Sequence, residues 1–189
     1  VNLFEKVDGP IVVPSGSCAA MVRNYYGDLF RDDAELADRA KRVGERLFEL
    51  TEFVSQFFGT DAIYGKREGA LTYHKCCHLL REIGVDEQPI QMLANIKGVD
   101  FHPLERAEVC CGFGGAFSVK MPDISSAILD EKLDFIEANG SSTVVAGDTG
   151  CIYQMQGGLR RRGSDVQVLH ISQVLAESIR NSNTSEEKR

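Results

Sequence analysis

The sequence predicts an α/β fold of parallel sheets with helices on both faces, and three observations carry that expectation. Short β-branched runs such as Ile11-Val12-Val13 and Thr143-Val144-Val145-Ala146 alternate with stretches of helical period, the pattern of strand-helix-strand units. These strands run into Gly, Ser or Asp turns, and a cysteine then opens the next helix, as at Cys18 and Cys151. Third, Ile11 to Cys18 aligns without a gap with Val144 to Cys151, and Leu50-Thr51-Glu52-Phe53-Val54 resembles Ile171-Ser172-Gln173-Val174-Leu175. Self-similarity at a fixed offset marks a repeated unit. The chain is therefore expected to hold two repeated modules, the first incomplete.

Taken in order, Ile11-Val12-Val13 reads as a strand delivered into the turn Pro14-Ser15-Gly16-Ser17, with a helix from Ala19 to about Phe30. Leu36, Ala40, Val43 and Leu47 recur at helical spacing among charges, which predicts an amphipathic helix from Asp33 to Phe48. Another begins near Thr51 and stops at Gly59. Gly65-Lys66-Arg67-Glu68-Gly69 reads as a polar turn and a module boundary, and Ala70-Leu71-Thr72-Tyr73 as a strand feeding His74-Lys75-Cys76-Cys77-His78. A helix over 88–97 and a strand at Val99-Asp100-Phe101 lead to Cys110-Cys111-Gly112-Phe113-Gly114-Gly115. Asp123 is the expected N-cap of a helix ending at Asn139-Gly140. The strand at 143–146, the turn Gly147-Asp148-Thr149-Gly150, a helix from Cys151, the strand Val166-Gln167-Val168-Leu169 and a helix over 172–180 complete the fold. Residues 181–189 read as a frayed polar tail.

Composition bounds the function. A chain of 189 residues with 43% hydrophobic content can bury a substantial core. A net charge of −7 and a pI near 5.1 argue against a general nucleic-acid or anionic-membrane binder. The basic run Arg160-Arg161-Arg162 suits a solvated helix end. No apolar stretch is long enough to span a bilayer. Six cysteines are too few for a secreted disulfide scaffold, and their clustering suits a reducing compartment, hence the cytoplasm, with metal or redox chemistry.

The cysteines carry the chemistry. Cys77, Cys110, Cys111 and Cys151 fall in three strand-to-helix turns of one module, which a parallel sheet brings to one edge. Four converging thiols fit an iron-sulfur cluster or tetrahedral zinc. Side chains of adjacent residues diverge and reach two metal atoms more naturally than one, which favours a polynuclear site. Asp148 could ligate through oxygen or cap the Cys151 helix. Cys76 is a packing residue or a reserve ligand, and His74 and His78 flank the site, where each could ligate or make structural hydrogen bonds. Cys18 lacks the other cysteines of its own module and is expected to be a metal-free thiol, unless it completes a site in the intact protein.

The spacing Cys77, Cys110-Cys111-Gly112, Asp148-x-x-Cys151 resembles the CCG cysteine-rich domain found in heterodisulfide reductase and in the glycolate oxidase iron-sulfur subunit. Pro14-Ser15-Gly16-Ser17-Cys18-Ala19-Ala20-Met21, Thr72-Tyr73-His74 with Cys77-His78, and Cys110 to Pro122 resemble more closely the lactate-utilisation iron-sulfur protein A family. That resemblance implies two CCG modules: the C-terminal part of the first over 1–66, a complete second over 67–180, and a tail over 181–189. By the repeat arithmetic roughly 60 residues of the first module are expected to lie outside this chain. It also implies Cys77, Cys110, Cys111 and Cys151 as ligands of an iron-sulfur cluster of the 4Fe-4S kind. The implied function is electron transfer in a cytoplasmic complex that oxidises L-lactate to pyruvate with two sister subunits. Asp148 and Ser15 stand where the fuller C-x-x-C pattern has cysteines, so five thiols become four. The alternative is a zinc-stabilised interaction module. A thiol enzyme using Cys151 or Cys111 lacks a distinctive general base, and Gly112-x-Gly114-Gly115 falls short of the dinucleotide fingerprint.

Overall fold

The computed structural model describes residues 1–63 and 65–186, with side chains as far as residue 182. It is mixed α/β with two parallel sheets. β3 (Lys66–His74), β4 (Lys97–Phe101), β5 (Thr143–Ala146) and β6 (Gln167–His170) form a sheet of order β4-β3-β5-β6, all parallel. β1 (Ile11–Val13) and β2 (Leu47–Glu49) form a separate parallel pair.

The central strands are buried along their length where both neighbours are present. β5 is buried at all its positions, as is β3 from Leu71 to His74, which is how strands covered on both faces read. Their alternation divides the core. Val144 and Ala146 join Leu129, Leu133, Met155 and Leu159 on one face, beneath α7 (Pro122–Asn139) and α8 (Thr149–Arg161). Tyr73 and Val145 join Met92, Leu93, Ile171 and Val174 on the other, beneath α5 (Glu87–Ala94) and α9 (Ile171–Glu186). Successive side chains point to opposite faces, so one strand serves both layers.

The expected elements are present, with differences at their ends. The first helical run starts at Gly16, not Ala19: α1 (Gly16–Ala20), a π-helical turn at Met21–Tyr25 and α2 (Tyr26–Leu29). α3 (Ala34–Glu45), capped by the Asp33 carboxylate, stops short of Phe48. Leu47–Glu49 is instead β2, and Glu49 caps α4 (Leu50–Phe58) through a capping box with Glu52. The polar segment at 65–69, expected as a turn, is largely the first half of β3, where the strand pairs with β4 alone and side chains remain exposed. A short helix, α6 (Ala116–Lys120), had no sequence counterpart. Asp123 is not the N-cap of α7: Pro122 takes the first helical position and Met121 precedes it. The stretch from 181, expected as a frayed tail, is helical as far as Glu186, the end of α9, and Asn181 Nδ2 donates to the Lys66 carbonyl at 3.1 Å. Residues 187–189 lie outside the described residues. Among the described residues no helix is long and apolar enough to cross a membrane.

Candidate metal centre

The strand order places a site before any side chain is considered. From β3 the chain moves outward to β4, and from β5 it moves the other way to β6, so the carboxyl ends of β3 and β5 flank the point where the winding reverses. In open parallel sheets the crevice at that point takes ligands. His74-Lys75-Cys76-Cys77 leaves the end of β3, and Gly147-Asp148 leaves the end of β5 and delivers Cys151 into the first turn of α8. Cys110 and Cys111 arrive on the segment between β4 and α6.

Five thiols converge there. Cys76, Cys77, Cys110, Cys111 and Cys151 line one cavity of about 490 Å³, and every cysteine in the chain is free. Cys111 Sγ and Cys151 Sγ are 3.0 Å apart. The four expected ligands are therefore brought together, and Cys76, read as packing or reserve, stands among them. Cys18 does not stand apart from this module, since it lines the same cavity from α1. Much of the rest of the lining is apolar or aromatic, with Met21, Val22, Tyr25 and Tyr26 of the first helical run, and Phe113. Met21, Val22 and Tyr25 of this lining belong to the π-helical turn.

The Cys110-Cys111-Gly112 turn owes its shape to glycine. Gly112 has φ +82°, and a Cβ on it would meet the Ser125 carbonyl oxygen at 2.4 Å. The close approach to α7 lets Ser125 Oγ donate to Gly112 O at 2.7 Å, and within the turn Gly112 N–H donates to Cys110 Sγ at 3.3 Å. Lys132 of α7, wholly buried, supports the preceding segment by donating to Arg106 O at 2.7 Å and Ala107 O at 3.2 Å.

The thiols set one another's ionisation. Donation from Cys111 and Cys77, with the Gly112 N–H, holds the Cys110 thiol well below its ordinary range. Cys111 is pushed up by that same pairing with Cys110, and Cys77 likewise. Deeper in the cavity, donation from Cys151 lowers Cys76, and the His74 ring acts in the same direction. Cys151 is pushed up by its contacts with Cys111 and Cys76. Cys110 near the mouth and Cys76 within are thus the two thiols whose neighbours favour the charged form.

Asp148 serves as an N-cap. Its Oδ1 accepts from Gly150 N–H at 3.0 Å, and its Oδ2 accepts from Ser17 N–H at 3.0 Å and Ser15 Oγ at 3.2 Å. Burial opposes its ionisation, but these donors outweigh burial and hold the carboxyl below the usual carboxylate range. Ser15 caps α1 in the same manner, and Gly16 N–H donates to Gly147 O at 3.2 Å. The two turns that align in the sequence are therefore packed against each other. His78 lies on the rim, its Nδ1 3.6 Å from Cys77 Sγ.

His74 is the residue whose place the sequence reading understated. It is wholly buried, and neither ring nitrogen has a hydrogen-bond partner among the described residues. A ligand atom of His74 and the sulfurs of Cys76 and Cys151 lie within 4.8 Å of one another. The available signal was the spacing His74-x-Cys76 at a strand end, which puts both side chains on one side of the chain.

Residues 71–156, from the buried half of β3 to the middle of α8, match the CCG cysteine-rich domain family. Fold and site together define a protein with a CCG cysteine-rich domain. The chain is 40% identical over 169 residues to Lactate utilization protein A 1 of Bacillus anthracis, covering 89% of this chain and 70% of that protein. It is also 40% identical over 175 residues to Lactate utilization protein A of a Geobacillus species, covering 93% of this chain and 73% of that protein. The chain belongs to the lactate utilization protein A family.

Proposed function

We propose that this protein is an iron-sulfur electron-transfer component of a cytoplasmic system that oxidises L-lactate to pyruvate, working with sister subunits. Its relatives' names support the lactate assignment. The observation that carries the redox assignment is the convergence of Cys77, Cys110, Cys111 and Cys151 on one cavity at the reversal of strand order.

The donor set fits such a group. Soft thiolates select iron-sulfur clusters, zinc and cuprous copper over hard cations, and adjacent Cys110 and Cys111 reach two metal atoms more readily than one. Cys77, Cys110, Cys111 and Cys151 would hold the cluster, in keeping with ligation by four cysteine thiolates. When bound, an iron-sulfur cluster supplies a carrier for single electrons.

The chain's own groups prepare that site. Cys151 lies in the first turn of α8, a helix of 13 residues, where the helix N-terminus favours negative charge. Gly112 N–H directs a donor at Cys110 sulfur, the kind of contact that tunes a metal-thiolate centre. Met21, Val22, Tyr25, Tyr26 and Phe113 keep much of the wall apolar and limit water around the thiolates.

Anaerobic purification with iron, acid-labile sulfide and zinc analysis tests this reading. The expected result is close to one cluster per chain, lost in both Cys110→Ser and Cys111→Ser. Iron content surviving both substitutions would overturn the ligand set. Stoichiometric zinc with no iron, reproduced across anaerobic preparations, would overturn the electron-transfer role in favour of a zinc-stabilised interaction module.

A further inference from the structure

The outer edge of β6 is held by side chains. β6 ends its sheet and pairs with β5 alone. Gln167 N–H turns inward and donates to Ser142 O at 3.0 Å, so the backbone groups of Val166 and Val168 turn outward, as alternation along a strand requires. Gln156 of α8 meets them. Val168 N–H donates to Gln156 Oε1 at 2.8 Å, and Gln156 Nε2 donates to Val166 O at 3.3 Å. One amide thus accepts from one residue and donates to the residue two before it, as a single residue of a fifth parallel strand would. His170 N–H, the next outward donor, goes to Gln173 Oε1 at 2.9 Å.

This edge has reason to be covered. Val166-Gln167-Val168-Leu169 is uncharged, free of proline and rich in strand-forming residues, and such a segment on an exposed edge is a template for another strand. A groove of about 930 Å³ is lined by this strand, by Gln156 and by Tyr153, which is 75% exposed. Space for an incoming chain is therefore present, and nothing charged within the strand turns one away.

We propose that Gln156 is a seal on the β6 edge, and that the partner it excludes is β6 of a second copy of this chain. The strand's own geometry selects that partner. With a two-fold axis through Gln167, antiparallel β6 strands set Val168 of each copy opposite Val166 of the other. Each Val168 N–H then donates to the Val166 carbonyl across the axis. These are the two groups that the Gln156 amide holds, so seal and partner compete for the same donor and acceptor. A strand from another protein would need a matching edge of its own, whereas a second copy brings one by symmetry. The seal is independent of the electron-transfer reading, because no thiol takes part in it.

Sedimentation velocity of the full chain over a concentration series tests the seal, with reductant present so that disulfides between molecules do not enter. Gln156→Ala should self-associate at least about tenfold more tightly than wild type, a gain that two net hydrogen bonds can supply. The double variant Gln156→Ala/Gln167→Lys should return to the wild-type profile, because the axis sets the two lysines directly opposite each other and like charges so placed repel. Gln167 is exposed, so its replacement leaves the core alone. Gln156→Ala associating no more than wild type would overturn the seal, and association that survives Gln167→Lys would overturn the β6 partner. Should Gln156→Ala fail to unfold cooperatively in urea, hydrogen exchange of the wild type decides. A Val168 amide protected to within about tenfold of Gln167, which is bonded toward β5, supports the seal, and one less protected than that overturns it.

Discussion

Asp148 carries more structural connections than its place in a cysteine pattern suggests. Its carboxylate closes the first turn of α8 and also accepts two donors from the turn that opens α1. Asp148→Ala should therefore cost about 1–3 kcal/mol in urea denaturation, beyond an ordinary cap, because buried donors from a second turn lose their acceptor as well. The pH dependence has a definite sign. A carboxyl held below its ordinary range contributes fully above the unfolded-state value near 4, and that contribution is lost as pH falls through the lower folded-state value. The stability gap between wild type and Asp148→Ala should thus be flat above about pH 5 and shrink below about pH 4. A gap that widened in acid would contradict the assigned role. The cap itself was legible in the sequence, since aspartate three residues before a helix-opening cysteine is a familiar arrangement. The partnership with Ser15 and Ser17 was not, because it joins turns 131 and 133 residues apart.

At the scale of elements, the strongly periodic and β-branched segments could be read, and short or one-sided ones could not. β5 announces itself as Thr143-Val144-Val145-Ala146 because both faces are buried. The first half of β3 is hidden as Lys66-Arg67-Glu68-Gly69 because it has only β4 beside it and can stay polar. β2 was masked by Leu47, which continues the helical period of α3 while belonging to a strand. α7 conceals another such exception in Lys132, a cation at a core position. Burial pushes its amine down to about 8, and its donations to Arg106 and Ala107 hold the segment that leads to Cys110. A lowered lysine value means that the unfolded chain binds the extra proton between about pH 8 and its usual 10.4, so folding gains stability across that window as pH rises. Relative to Lys132→Met, wild type should gain roughly 3 kcal/mol from pH 8 to 10.5, as measured by denaturation. A difference independent of pH would show that Lys132 keeps its ordinary ionisation.

Across the whole molecule, the candidate metal centre is also the seam between the two sheets. The β1-α1 turn packs on the β5-α8 turn through Ser15, Gly16 and Asp148, and it presses against the helical turn that follows Cys77. A Cβ on Gly16 would lie 2.8 Å from Leu79 Cβ and 3.1 Å from Leu79 backbone atoms. Neither neighbour can yield cheaply, since Leu79 is 1% exposed and packed in the main core. Gly16→Ala should therefore force the two units apart, costing about 1–3 kcal/mol as overpacking does, and it should lower metal uptake although Gly16 supplies no ligand atom. Gly27 in α2 provides the contrast, because a Cβ there meets nothing within 4 Å. Gly27→Ala should be neutral or stabilising by up to about 1 kcal/mol, as alanine for glycine in a helix is. Denaturation and metal analysis of the two variants side by side separate a seam from a mere linkage. If Gly16→Ala matched Gly27→Ala in both measurements, the N-terminal unit would be a passenger on the cysteine module and not a wall of its site.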